Sequence, residues 1–248
     1  MGFGLPALLG LTGPQILLAV GVVLVGACLQ GALGFGLGLV SAPVLVMLNP
    51  DLVPGALLAM GVPLAFSMAW RERADLDLKS VRWAIAGRVP GTIVGSLSVA
   101  LLSRQALSIG FGVVILGAVA VSLIGLAVVP TRTNLFIAGV ASGITGTATS
   151  VGGPPIALVY QQMTGPQVRA ALSAYMVAGS IGSLLALAAV GELEVSDLVI
   201  ALSLSPVVMA GFGLSRRAIS VVDRGFTRPA VLGFAALSGC SIIIRTLV

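Results

Sequence analysis

The sequence predicts an all-α integral membrane protein: a polytopic helical bundle of two inverted repeats with interrupted helices and about 8–10 membrane segments. Three observations lead there. Hydrophobic residues make up 58% of the chain and charged residues 8%, with a mean hydropathy of +1.15, whereas a soluble domain carries roughly 25% charge. The runs Val81–Leu102, Leu107–Val129, Pro166–Val190 and Val195–Leu214 each approach or exceed the roughly 20 residues that cross a bilayer as a helix. Alternating strands of about 10 residues, the signature of a membrane barrel, are absent from the sequence. The third observation is a duplicated interruption. SGITGTATSVGGPP, from Ser142 to Pro155, packs glycines, small hydroxyls and two prolines into an apolar stretch, and GALGFGLGLVSAP, from Gly31 to Pro43, is a weaker copy. A shift of 112 positions superposes Gly31 on Gly143, Gly34 on Gly146, Pro43 on Pro155 and Pro54 on Pro166.

In chain order, residues 1 to 13 carry no charge, and Pro14 suits the first turn of a helix. The N-terminus lacks the positive region of a secretory signal, so the first helix is expected to be retained. From Pro14 to Leu48 the chain is apolar for 35 residues, broken by Gly31, Gly34, Gly36 and Gly38 and ended by Asn49-Pro50-Asp51. A helix is expected from Pro54 to Trp70, whose indole suits the membrane interface. The charged loop Arg71 to Arg82 follows. Two spans then close the first repeat, residues 1–129, with a short turn around Arg104 between them. The second repeat, residues 130–248, copies the plan: an interrupted stretch from Thr133 to Met163, a Thr164-Gly165-Pro166 turn and a span to Val190. After these come an acidic loop with Glu192, Glu194 and Asp197, a span to Leu214, a basic loop with Arg216, Arg217, Arg224 and Arg228, and a last helix. Pro90 and Gly95 match Pro206 and Gly211 at a shift of 116.

The loop charges bear on topology. Lys and Arg mark the cytoplasmic side, so the loops Arg71 to Arg82 and Arg216 to Arg228 belong on one face. That holds when each interrupted stretch is counted as a hairpin returning to its starting side. The count gives five passes per half, halves inverted relative to each other and both termini outside. The formal charge of +5 comes from 13 basic residues spread through short loops, so no basic domain exists to dock nucleic acid. Cys28 and Cys240 both lie in apolar segments and read as small buried hydrophobes without a disulfide.

Broken helices persist in hydrocarbon only where they are buried or line a cavity, and paired interrupted segments in two halves point to a transporter's binding site. Helix N-termini at such breaks present unpaired N–H groups and partial positive charge, which suits an anion. Gly152-Gly153-Pro154-Pro155 reads as such a start. The candidate binding residues are Thr145, Thr147, Thr149, Ser150, Gly152 and Gly153 of the second copy, with Gly34, Gly36, Gly38 and Ser41 of the first. Ser142, Thr145 and Thr149 share a helical face, and their hydroxyls are donors for an oxyanion; small hydroxyls also serve close helix packing. Arg88 lies about 10 Å along its helix from the loop. At that depth it either acts in the cavity or snorkels to the interface. Arg169, near a helix end, reads as an interfacial anchor. There is no His, and every Asp and Glu falls in or beside a loop. No Cys/His metal cluster, nucleophile with a base or phosphate-binding loop is present. The sequence therefore predicts no enzyme, no metal and no cofactor.

With QGALGFGLGLVSAP, SGITGTATSVGGPP and the continuation PQVRAALSAY, the whole chain resembles the sulfite exporter TauE/SafE family of bacterial membrane transporters. The first copy ends in Val40-Ser41-Ala42-Pro43 where the family more often has a further glycine pair. The resemblance implies a small organosulfur or related anion such as sulfite, sulfoacetate or another sulfonate as substrate, moved by alternating access in the bacterial cell (inner) membrane. Export of one negative charge is favoured by about 2.3 kcal/mol per 100 mV of inside-negative potential. The alternatives are a passive anion channel, an importer of a small carboxylate or sulfur anion coupled to a cation, and a membrane subunit serving another protein. The sequence leaves the oligomeric state open.

Overall fold

A computed structural model describes residues 10–103, 128–160 and 163–222, together with scattered positions between 105 and 120. The described residues form eight continuous helices: α1 Gly13–Leu33, α2 Leu37–Leu48, α3 Gly55–Arg71, α4 Leu78–Leu101, α5 Arg132–Thr149, α6 Gly153–Tyr160, α7 Gly165–Ala189 and α8 Val195–Val222. Short 3₁₀ turns at Pro50–Leu52 and Arg73–Asp75 join them. Five stretches among the described residues, Gly13–Leu33, Pro50–Arg71, Val81–Leu101, Gly165–Ala189 and Val195–Ile219, are long and apolar enough to cross a bilayer, and Leu37–Leu48 is a shorter apolar helix. The expected total of 8–10 segments also drew on Leu107–Val129 and the last helix. Most of the first, Arg104 in the turn before it, and all of 223–248 with Arg224, Arg228 and Cys240 lie outside the described residues.

Helix starts follow local chemistry. The Asp77 carboxylate accepts from Lys79 N at 2.9 Å and opens α4, while Thr131 Oγ1 accepts from Asn134 N at 3.2 Å and opens α5. Both caps satisfy N–H groups that the first turn leaves without a helical partner. Gln15 Oε1 likewise accepts from Thr12 N at 2.9 Å ahead of α1.

Both interrupted stretches are helical hairpins. Helix α1 ends at Gly34, in the left-handed region at φ 95°, with its N–H on Gln30 O at 2.8 Å. Gly36 also has positive φ, 153°, a conformation cheap only for glycine. Helix α2 then folds back along α1, so that Ser41 Oγ donates to Val22 O at 3.0 Å. The break is narrower than the four glycines suggested, since Gly31 stays in α1 and Gly38 enters α2. In the second stretch Ser150 ends α5 at φ 59°, with its N–H on Gly146 O at 3.0 Å. Ser150 is the non-glycine residue with positive φ among the described residues, and such residues gather at functional sites. Helix α6 returns so closely that Ser142 Oγ donates to Gly152 O.

Glycines let the helices approach backbone to backbone. Gly87 and Gly91 of α4 sit on the Phe136 and Val140 carbonyls of α5, and Gly95 lies on Ile144 O. On the other side Gly211 of α8 sits on Leu24 O of α1. Thus α4 packs with α5 and α8 with α1, while α3 and α7 pack on each other and on α8 and α4 respectively. Apolar residues face outward: Leu17, Leu101, Leu185 and Leu202 are 75%, 78%, 67% and 75% exposed. A belt of that kind needs lipid around it. Trp70 is exposed as expected of an interface residue, with the Arg73 guanidinium 4.6 Å from its ring.

The two ends of the bundle differ in charge. At one end a cavity of about 980 Å³ is lined by polar and acidic residues including Asn49, Asp51, Glu192, Glu194 and Asp197. At the other, Arg71 and Arg169 converge on one carboxylate. Arg71 Nε lies 2.8 Å and Arg169 Nε 3.2 Å from Glu72 Oε1. Arg71 also donates to Ser215 Oγ at 2.9 Å and to Gly31 O, and its guanidinium stacks on Phe212 at 4.7 Å. This corrects the reading of Arg169 as an interfacial anchor: it is buried, because Glu72 at the end of α3 supplies the opposite charge that makes burial tolerable.

Candidate anion site

The two hairpin breaks meet inside the bundle. A Cβ on Gly38 would overlap Ser150 O, and one on Gly153 would stand 2.5 Å from Phe35 Cβ. Each break therefore touches the other, and the start of α2 and the start of α6 face a common space. It is a cavity of about 30 Å³ lined by Gln30, Gly38, Gly61, Arg88, Gly146, Ser150, Gly152 and Ser180, among others. That volume has room for water or a small ion.

Arg88 dominates its electrostatics. Its side chain leaves α4 and runs between α5 and α7, and the residue is only 4% exposed, so it does not snorkel. Nη1 reaches Ser142 Oγ at 3.4 Å and Nη2 reaches Ser183 Oγ at 3.5 Å, both long bonds. The guanidinium lies 4.8 Å from the Tyr175 ring and against Gly179, where any Cβ would collide with it. Its Nε has no hydrogen-bond partner. Among the described residues no carboxylate pairs with Arg88. A guanidinium cannot shed its proton, so this site keeps a buried positive charge. Two helix N-termini add partial positive charge beside it.

The structure distributes the sequence-predicted residues unevenly. Arg88, Gly38, Ser150 and Gly152 line the cavity. Gly34 and Gly36 shape the first break and Gly153 starts α6 against Phe35. Ser41 holds the first hairpin together. Thr149 Oγ1 donates to Thr145 O at 2.6 Å and accepts from Val151 N at 3.3 Å, which caps the second break. Thr147 Oγ1 hydrogen-bonds Ser183 Oγ at 2.8 Å, joining α5 to α7. Thr145 Oγ1 is buried without a partner.

Sequence reasoning missed Gln30, Tyr175, Gly179, Ser180 and Ser183. Gln30 Oε1 accepts from Leu37 N at 3.0 Å and so bridges the first break. An amide deep in a 35-residue apolar run was a usable signal. Tyr175 is one of two tyrosines in the chain, but nothing local tied it to Arg88, 87 positions earlier.

The hairpin contact yields a stability prediction. Gly38→Ala drives a methyl into a backbone carbonyl of the other hairpin, which cannot swing aside, and is expected to cost about 1–3 kcal/mol. Gly182→Ala, with nothing within 4 Å of its Cβ, is the matched control. Thermal unfolding of the purified proteins in one detergent checks the difference.

Buried positive charge where two broken helices meet, inside a bundle with an apolar exterior, defines a class: a membrane transport protein with an anion-compatible centre. A family model described as "Sulfite exporter TauE/SafE" matches residues 17–242, and the chain belongs to that family. It is a membrane-embedded secondary transporter, not an enzyme. Neither a curated protein nor a solved structure matches it.

Proposed function

We propose that the protein exports a small organosulfur or related anion, such as sulfite, sulfoacetate or another sulfonate, by alternating access, with the Arg88 cavity as the binding site. The observation that carries this reading is the buried guanidinium at the junction of the two breaks, which has no carboxylate partner among the described residues. An anion entering there meets Arg88 and the starts of α2 and α6. Thr145, whose hydroxyl lacks a partner, is the remaining candidate donor of the second motif. The cavity is small, about 30 Å³, and separation of the hairpins in alternating access widens it for a sulfo group.

The moving parts are two inverted halves, residues 1–129 and 130–248, with both termini outside. Packing partners support this: exchanging the halves carries the α4–α5 pair onto α8–α1 and the α4–α7 pair onto α8–α3. The repeat-matched Gly95 and Gly211 each abut a carbonyl of the other half's first helix. Basic residues gather at the Arg71 end and acidic ones at the Asp197 end, which supports placing the Arg71 end in the cytoplasm.

Proteoliposome flux of sulfite, sulfonates, thiosulfate and small carboxylates, with and without an imposed potential, tests the proposal. Selective movement of the sulfur oxyanions is expected; flux of none of these anions contradicts it. Gly179→Ala, which expels the guanidinium from its seat, is expected to lower that flux about tenfold or more, a loss of at least ~1.4 kcal/mol of binding. The Gly182→Ala flux serves as the reference.

A further inference from the structure

We propose that the substrate-free carrier holds a small monatomic anion of the chloride class at Arg88. The inference rests on the reading of this cavity as the anion site and concerns what occupies it between substrates. An unpaired buried ion is strongly disfavoured even after relaxation, and an arginine has no deprotonation to escape by. Lysine or histidine in this place could neutralise itself; arginine cannot. The partners among the described residues are weak: two long hydroxyl bonds and one aromatic face, with Nε lacking a hydrogen-bond partner.

Size comes next. About 30 Å³ suits a small, compact guest. A halide is such a guest, and a sulfo group with three oxygens is bulkier. The lining suits a single negative charge, with the guanidinium, the starts of α2 and α6 and the Ser180 hydroxyl around it, and no acidic residue among the described lining residues. Chloride therefore fits this small cavity as it stands, and a bulkier sulfo group asks for more room.

The consequence is mechanistic. The carrier's return step takes place with a halide aboard, so substrate and halide compete for one site and flux becomes exchange. For a singly charged substrate the exchange moves no net charge, so the membrane potential ceases to drive it.

Equilibrium binding of radiolabelled chloride to the full-length protein, purified in a gluconate buffer, tests this. Saturable binding that sulfite displaces, and that Arg88→Gln weakens at least about tenfold, is expected. Gly61→Ala provides a second variant independent of the charge. Its methyl enters the cavity wall with only Ser180 Oγ near, at 3.5 Å, so the helix tolerates it while the guest loses room, and chloride binding should fall several-fold. Absence of saturable chloride binding by the wild-type protein overturns the proposal, as does binding indifferent to sulfite and to both substitutions. Sulfite flux in chloride-free liposomes separates the two readings: flux at full rate without chloride binding leaves the sulfite carrier standing and removes the halide.

Discussion

Replacing Arg88 with glutamine is expected to lower anion transport about 100-fold while leaving the melting temperature of the solubilised protein unchanged or slightly raised. The two halves of this expectation have one cause. Truncating a buried charge that meets a ligand costs about 2–5 kcal/mol of binding, and a factor of 100 corresponds to about 2.7 kcal/mol. In the folded protein free of any bound anion, the same charge has, among the described residues, no carboxylate and only two long hydroxyl bonds and the Tyr175 ring. Removing it relieves a desolvation cost rather than breaking an ion pair. A structural arginine would behave oppositely. Loss of stability in step with loss of flux would therefore show that Arg88 holds α4, α5 and α7 together instead of serving an anion. Parallel flux and thermal-unfolding measurements on the same preparations decide.

Glu72→Ala is expected to destabilise the bundle by about 3–5 kcal/mol, the range seen when one member of a buried ionic cluster is removed. One carboxylate oxygen serves both Arg71 and Arg169, so its loss leaves two largely buried guanidinium groups at the junction of α3 and α7. Arg71 retains Ser215, the Gly31 carbonyl and the Phe212 ring. Arg169 has no second ion pair among the described residues. Arg169→Met in the Glu72→Ala background should therefore recover most of the loss, because it removes the cation left uncompensated. Thermal unfolding of the single and double variants gives the answer, and an unrecovered double variant would show that the carboxylate acts through something other than these charges.

Much of this architecture was legible because hydrocarbon punishes unsatisfied backbone. A glycine-rich gap inside an apolar run has few solutions, and the hairpins at Gly34–Gly36 and Ser150–Gly152 are the solution adopted. The start of α6 at Gly153, with two prolines following, was readable from the sequence for the same reason. What stayed hidden depends on distance in sequence. The Arg88 depth was measurable along its helix, but its direction depends on Gly179, Tyr175 and Ser183 on another helix. Arg169 looked interfacial because its partner, Glu72, lies 97 positions away. Hydroxyls were hardest to sort. Ser41, Thr147 and Thr149 are chemically the same donors whether they hold a ligand or a neighbouring helix, and only their geometry assigns them to Val22, Ser183 and Thr145.

The central claim is that an anion carrier works through the Arg88 cavity, and sulfite counterflow tests it most directly. Proteoliposomes preloaded with unlabelled sulfite are given a trace of labelled sulfite outside. Saturable uptake, accelerated by the internal anion and abolished by Arg88→Gln, is the predicted result. Uptake that rises linearly with concentration and ignores the internal anion, or that survives Arg88→Gln unchanged, would contradict it.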